Sequence, residues 1–325
     1  MNEKKFKKYV YIVDTKLVAY YLYQRGSPIY GILDKIAQML FEHPKGEVYF
    51  AFDIGKSSFR SKIHPMYKGH RAKRNSQLDS EELARLDMFN NDYIRLAELC
   101  KLLPVRVLAV HGVEADDLVS LITCEHQPNQ DTMIYLLTAD MDYVNSVVGT
   151  DNVAILDVFN NVTVDNAFVK NKYDLHNRRQ FNVHKAIFGD KSDNIKFIKG
   201  VGEIKASEIF SMVYELYEDP TNDEIARVIE QYLRKFPKLK LHPYHLDMGR
   251  TTVIDALNAN LEIVDTFTDT TKMTDAQKLA YQECLTYTMP TGIDSIEFIK
   301  KSMDIVGYPI TVGRKASRVF KIKDN

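Results

Sequence analysis

Residues 105–119 read VRVLAVHGVEADDLV. The first six are aliphatic apart from Arg106, which suits a buried strand. Gly112 marks a junction, and Glu114, Asp116 and Asp117 open a helical pattern. A helix dipole favours acids in a first turn, and that alone would account for one or two of them. Glu114 and Asp117, three apart, share one helical face. Similar strand-like runs recur at residues 9–13, 48–52, 133–137 and 153–156, with helical stretches between them. Strands separated by crossover helices predict an α/β fold with a mainly parallel central sheet flanked by helices. Ligands bind such sheets just beyond the carboxyl ends of the strands. At that edge Asp14 directly follows YVYIV, Asp53 directly follows VYFAF, and Asp140 stands three residues past MIYLL.

The acids form five clusters: Asp14; Asp53; Glu114, Asp116 and Asp117; Asp140 and Asp142; Asp190 and Asp193. If they converge, their mutual repulsion must be neutralised, because like charges a few ångström apart drive one another toward protonation. The pattern therefore predicts a divalent-metal site. Asp53, Glu114, Asp116, Asp140 and Asp142 are expected to bind directly, with Asp14, Asp117, Asp190 and Asp193 as an outer set. Residues 54–78 carry Lys56, Arg60, Lys62, Lys68, Arg71, Lys73 and Arg74 and no acid. A cationic strap beside an anionic pocket suits a polyphosphate substrate, although a solvated surface would share its composition.

Beyond residue 180 the pattern turns helical. Gly200-Val201-Gly202, flanked by Lys199 and Lys205, predicts a tight hairpin between two helices over about 181–212, whose exposed N–H groups suit phosphate. A helix cap is the plainer alternative. The expected organisation is an α/β domain at 1–178, containing the strap at about 54–90, and a helical domain at 179–325. Basic residues also fall at Arg234, Lys235, Lys238 and Lys240 and in the tail at 314–323, without a catalytic motif. The net charge of −1 conceals these opposed regions. Three cysteines, Cys100, Cys124 and Cys284, lack metal-ribbon spacing, and His64, His70, His111, His126 and His184 lack paired spacing. The apolar run at 9–13 is too short for a signal-peptide core or a membrane span. A cytoplasmic setting is expected.

The order VDxK, FD, YKGHR, VEADD, TADMDY, GDKSDN and GVGEIKA resembles the 5′ nuclease or flap endonuclease family over about residues 9–210, most like the phage ribonuclease H type. The resemblance implies a PIN-like core, a helical arch and a helix-hairpin-helix. It implies metal-dependent hydrolysis near 5′ ends of DNA and RNA–DNA hybrids, removing primers and flaps in replication. Two or more Mg²⁺ ions are implied, with Mn²⁺ able to substitute, held by the nine acids named above. Two ions about 4 Å apart can activate the attacking water and neutralise the departing alkoxide. Lys68 and Arg71 match the family's arch cations, and Gly200 and Gly202 its hairpin, where relatives bind K⁺. Lys56, Arg60, Lys62, Tyr67, Lys73, Arg74, Lys199 and Lys205 are the further expected nucleic-acid contacts, with Tyr20 and Tyr67 as stacking candidates. A single-strand-binding protein or sliding clamp is the implied partner, the chain a monomer, and the cytoplasm that of a bacterial host if a phage encodes it. The chain departs from the family at Thr15, where Gly is common, and at Lys196-Phe197, where Pro-Gly is common. The rival readings are a PIN-like ribonuclease and a DNA-structure-binding protein that has lost catalysis.

Overall fold

The computed structural model describes residues 6–23, 46–157, 160–289, 300–302 and 304–305, with 72 and 73 as backbone alone. The basic tail at 314–323 and the Lys73 side chain lie outside the described residues. The chain forms two compact units, the first comprising residues 1–59, 78–174 and 267–325, the second residues 60–77 and 175–266. These units differ from the expected domains in two main respects: residues 60–77 belong with the second unit, and at Phe267 the chain returns to the first.

In the first unit the strands are β1 (Lys8–Asp14), β2 (Glu47–Phe52), β3 (Arg106–Ala109), β4 (Thr132–Thr138), β5 (Val153–Asp157) and β6 (Val162–Val164). Their order is β3-β2-β1-β4-β5-β6, parallel throughout except for the antiparallel pair β5–β6. All five runs expected as strands fall on β1 to β5. Side chains alternate between the two faces of a strand. Tyr11 and Val13 join the cluster with Val18 and Ala19 of α1 (Thr15–Tyr23), and its other members include Phe89, Tyr93 and Leu96. Val10 and Ile12, wholly buried, point to the opposite face.

α2 (Ser58–Ile63) begins in this unit and ends in the second, and α3 (Gly69–Asn75) belongs to the second. α4 (Ser80–Cys100) starts with a capping box between Asp79 and Glu82. The segment expected as the arch is therefore helical along most of its length. α5 (Ala115–His126) packs against β1 to β4. α6 (Val144–Val147) and α7 (Asn166–Tyr173) follow β4 and β6. The return of the chain has a local cause that can be seen at edge strand β3. The Gln277 amide donates to Ser58 Oγ at 3.0 Å and to the His111 carbonyl at 3.1 Å, and Arg106 donates to the Leu285 carbonyl.

The second unit contains α8 (Arg178–Phe188), α9 (Glu203–Leu216), α10 (Asn222–Lys235), α11 (Pro243–Asp247) and α12 (Val253–Val264), with the short pair β7 (Ile198–Lys199) and β8 (Lys240–Leu241). Ile225, Val228, Ile229 and Tyr232 recur at helical spacing on α10 and are buried against α9 and α12 residues. The strap residues are built into this unit. Arg60 Nε donates to the Ile263 carbonyl at 2.8 Å, and His64 Nε2 meets the Asn194 carbonyl at 3.0 Å. Ile63 and Tyr67 pack with Ile195 and Ile263.

Candidate metal centre

β1, β2 and β4 end level with one another: Asp14 pairs with Ala51 and Val13 with Leu137. The chain runs outward from β1 through β2 to β3, then resumes at β4 on the other side of β1. That reversal is a switch point of an open α/β sheet, where the loops diverge and leave a crevice. Asp14 closes β1, and Asp140 lies just past β4 as the cap of a short turn at Met141–Tyr143.

Hydrogen bonds fix the acids around this crevice. Thr138 Oγ1 donates to Asp14 Oδ2 at 3.3 Å. Ala115 N–H, in the first turn of α5, donates to Asp53 Oδ1 at 2.7 Å, and the backbone N–H of Asp53 donates to the Tyr93 hydroxyl oxygen at 2.9 Å. Asp140 Oδ1 accepts from the Asp142 N–H at 2.9 Å. Glu114 precedes α5 yet makes no side-chain capping bond, and it is 7% exposed. Glu114, Asp116 and Asp117 each offer an oxygen within 4.8 Å of the others. Asp117 is fully buried, and its Oδ1 accepts the Phe267 N–H at 3.2 Å.

Electrostatics shows the convergence most directly. Burial, and then the charges of Asp53 and Asp140, push the Asp14 carboxyl up to about 7. The Tyr143 hydroxyl is pushed well above its ordinary value by burial and by four carboxylates: Asp14, Asp116, Asp140 and Asp53. Four acids from distant parts of the sequence therefore act on one phenol. A pocket that drives a carboxyl toward protonation holds more negative charge than it can stabilise alone. An all-oxygen donor set of this kind fits a hard divalent cation, which prefers carboxylates and water.

Asp190 and Asp193 belong to the second unit and have partners there. Asp190 Oδ2 accepts from Lys185 Nζ at 2.7 Å, and its Oδ1 accepts from the Ser192 hydroxyl at 2.6 Å. Burial would raise the Asp190 carboxyl, but Lys185 and these hydrogen bonds hold it down at about 2. Asp193 Oδ2 accepts from the Tyr67 hydroxyl at 2.9 Å, and its Oδ1 lies 3.7 Å from Lys68 Nζ and 3.4 Å from Arg71 Nη2.

Among the other expected contacts, Lys56, Lys62, Arg74 and Lys199 are exposed and Lys205 is half-buried. Arg60 requires correction: it is 2% exposed and binds a backbone carbonyl, so it braces the fold. Tyr67 is 4% exposed and packs in the apolar cluster, which removes it as a stacking surface. Tyr20 keeps an exposed face and meets Phe89 edge-on. Gly200 adopts φ +87° in the turn before α9, and Gly202 caps that helix with open space where a side chain would stand.

Tyr143, Thr138, Tyr93 and Lys16 had no expected role. Tyr143 stands inside the quoted TADMDY and Lys16 inside VDxK. Only the fold reveals which acids they face.

Residues 10–174 match the family described as 5′-3′ exonuclease, N-terminal resolvase-like domain. The flap endonuclease of Escherichia phage T5 is 34% identical over 154 residues, covering 46% of this chain and 50% of its own. The 5′-3′ exonuclease of Buchnera aphidicola is 27% identical over 206 residues, 59% of this chain and 66% of its own. DNA polymerase I of Mycobacterium tuberculosis is 27% identical over 242 residues, 73% of this chain but only 23% of that longer protein. Among solved structures, T5 5′-exonuclease with divalent metal ions (zinc) bound superposes with a TM-score of 0.65 at 22% identity, covering 91% of this chain and 99% of its own. That likeness establishes the fold. Among the described residues, no helix is long and apolar enough to cross a membrane.

Proposed function

Because the chain belongs to the 5′-3′ exonuclease family, matched over residues 10–174, we propose that it is a divalent-metal-dependent 5′ nuclease acting on 5′ ends and flaps of DNA and of RNA–DNA hybrids. The observation that carries this reading is the meeting of Asp14, Asp53, Asp116 and Asp140 around Tyr143 at the carboxyl edge of a parallel sheet. Mg²⁺ is the proposed physiological ion, with Mn²⁺ as a substitute. Asp14, Asp53, Glu114, Asp116, Asp140 and Asp142 would hold it, and Asp117 would brace the set from inside. Asp190 and Asp193 retain their proposed outer role. When bound, such ions polarise phosphoryl oxygens, activate water and neutralise the departing alkoxide.

The chain's own residues supply orientation. Ala115 and Tyr93 fix the carboxylate and backbone of Asp53, while Thr138 and Tyr143 fix Asp14. Tyr143 itself is buried, at 4% exposed. Lys68 and Arg71 are proposed to stabilise the negative charge developing on the scissile phosphate; a guanidinium can clasp two oxygens, and an ammonium supplies a compact charge.

The hairpin around Gly200 and Gly202, with Lys199 and Lys205, is proposed to track the duplex backbone and to offer a K⁺ site. One observation favours an anionic partner there. Lys199 stands directly opposite Lys240 in the β7–β8 pair, an arrangement that repels unless an anion intervenes. Removal of RNA primers in replication, with a single-strand-binding protein or sliding clamp as partner, is the proposed setting.

The test is digestion of an end-labelled 5′-flap substrate with Mg²⁺. The parent protein is expected to release the flap, and Asp140→Asn to lose at least 100-fold in turnover, of the order seen when one preorganised charge-stabilising group is removed. An Asp140→Asn protein with parental turnover would end the assignment.

A further inference from the structure

Lys16 stands two residues past Asp14, in the first turn of α1. Its Nζ lies 3.9 Å from Asp53 Oδ2 and 5.9 Å from the centroid of the Tyr93 ring. Tyr93 is itself tied to Asp53, because its hydroxyl oxygen accepts the Asp53 backbone N–H. The two oxygens of Asp53 are therefore unlike. Oδ1 is held by Ala115 N–H at 2.7 Å, while Oδ2 faces a lysine head. The ammonium of Lys16 faces the Tyr93 ring, and its side chain is 46% exposed.

We propose that Lys16 is a built-in competitor for the divalent cation at Asp53, a positioning residue that holds Oδ2 while the metal is absent and is displaced when the metal binds. This rests on the metal reading of the carboxylate crevice. Oδ2 of Asp53 is the oxygen that no backbone N–H holds in this contact, and a lysine on a flexible stem can set a positive charge against it without blocking the site. A half-exposed pair at 3.9 Å is weak, so it yields to a doubly charged ion with stronger oxygen affinity. The displaced ammonium stays tethered to α1 and continues to repel the metal through partly screened charge. Lys16 thus sets the metal concentration at which the site fills.

The experiment is calorimetric titration of Mn²⁺ into metal-free protein without nucleic acid, comparing the parent with Lys16→Met and Lys16→Gln. Methionine keeps the length of the side chain without its charge; glutamine keeps polarity. Both variants are expected to bind Mn²⁺ more tightly, on the order of fivefold for loss of one screened charge beside the site. A purely structural role would move affinity the other way, because a disordered crevice binds metal worse. Unchanged or weaker binding in both variants, with the parent binding normally, overturns the inference and leaves the metal centre standing. A parent that binds no Mn²⁺ overturns both.

Discussion

Asp193 shows how one side chain can determine the behaviour of its neighbours. The Tyr67 hydroxyl, Lys68 and Arg71 all address its carboxylate, and the Lys68 backbone N–H donates to its carbonyl at 3.1 Å. Lys68 also takes φ +54°, a left-handed conformation uncommon for a residue with a side chain. Strain of this kind persists where the surroundings over-determine a conformation, and such places concentrate at functional sites. Lys68→Ala is expected to lower kcat on the 5′-flap substrate on the order of 100-fold with KM nearly unchanged, because the proposed charge acts in the transition state. Steady-state kinetics separate the two: a raised KM at parental kcat would reduce Lys68 to a binding residue. Arg60, a few residues away, teaches the opposite lesson. Composition groups it with the cations of the strap, but a buried guanidinium bonded to a backbone carbonyl behaves as a brace. Sequence shows that a residue carries charge and leaves open which way it points.

At the level of elements, the strands of the sheet could be read because each is a short apolar run set off by turn residues, with acids just past the ends of three. β6 could not: Val162–Val164 is three residues long and mostly exposed, so no apolar pattern marks it. Sequence placed Asp14, Asp53 and Asp140 just at or past strand ends; the order that sets those strands side by side, and the phenol of Tyr143 among the acids, required coordinates. The loop after α8 shows a similar divide. Gly189 has φ +73° and ψ 178°, a region open essentially to glycine, and a Cβ there would lie 2.6 Å from the Ile195 carbonyl oxygen. The same loop is closed by hydrogen bonds between Asp190 and Ile195 at 2.9 and 2.7 Å. Gly189→Ala is expected to destabilise the protein by about 2–3 kcal/mol, from strain and clash together. Gly202→Ala should stay within about 0.5 kcal/mol, since φ is −100° and no atom lies within 4 Å of the added carbon. Urea unfolding midpoints check both, and equal losses would show that backbone geometry at Gly189 is unimportant.

At the scale of the whole molecule, pH acts through buried imidazoles. Burial holds His245 down at about 4, although its Nε2 meets the Lys196 carbonyl at 2.8 Å, and burial likewise lowers His184 to about 4. A histidine in the unfolded chain titrates near 6.5. Between these values each unfolded imidazole binds more protons than its folded counterpart, so the stability contributed by these two histidines is fully present above about pH 6.5 and is lost as pH falls toward 4. His245, with no exposed surface, is expected to contribute on the order of 2 kcal/mol to this loss. Urea denaturation at pH 7.5 and pH 4.5 measures it, and His245→Gln should flatten the decline. An undiminished slope in that variant would assign the effect to other groups.

The interleaved chain also has a consequence for birth on the ribosome. Residues 60–77 emerge early, yet Ile63 and Tyr67 find their apolar partners Ile195 and Ile263 only after most of the polypeptide has been made. A nascent chain must carry that segment uncommitted for more than a hundred residues of synthesis, which at typical rates of translation is on the order of ten seconds. Severing the gene after the first compact stretch would strand the same side chains in water, so the two units form a single inheritance that recombination cannot readily divide.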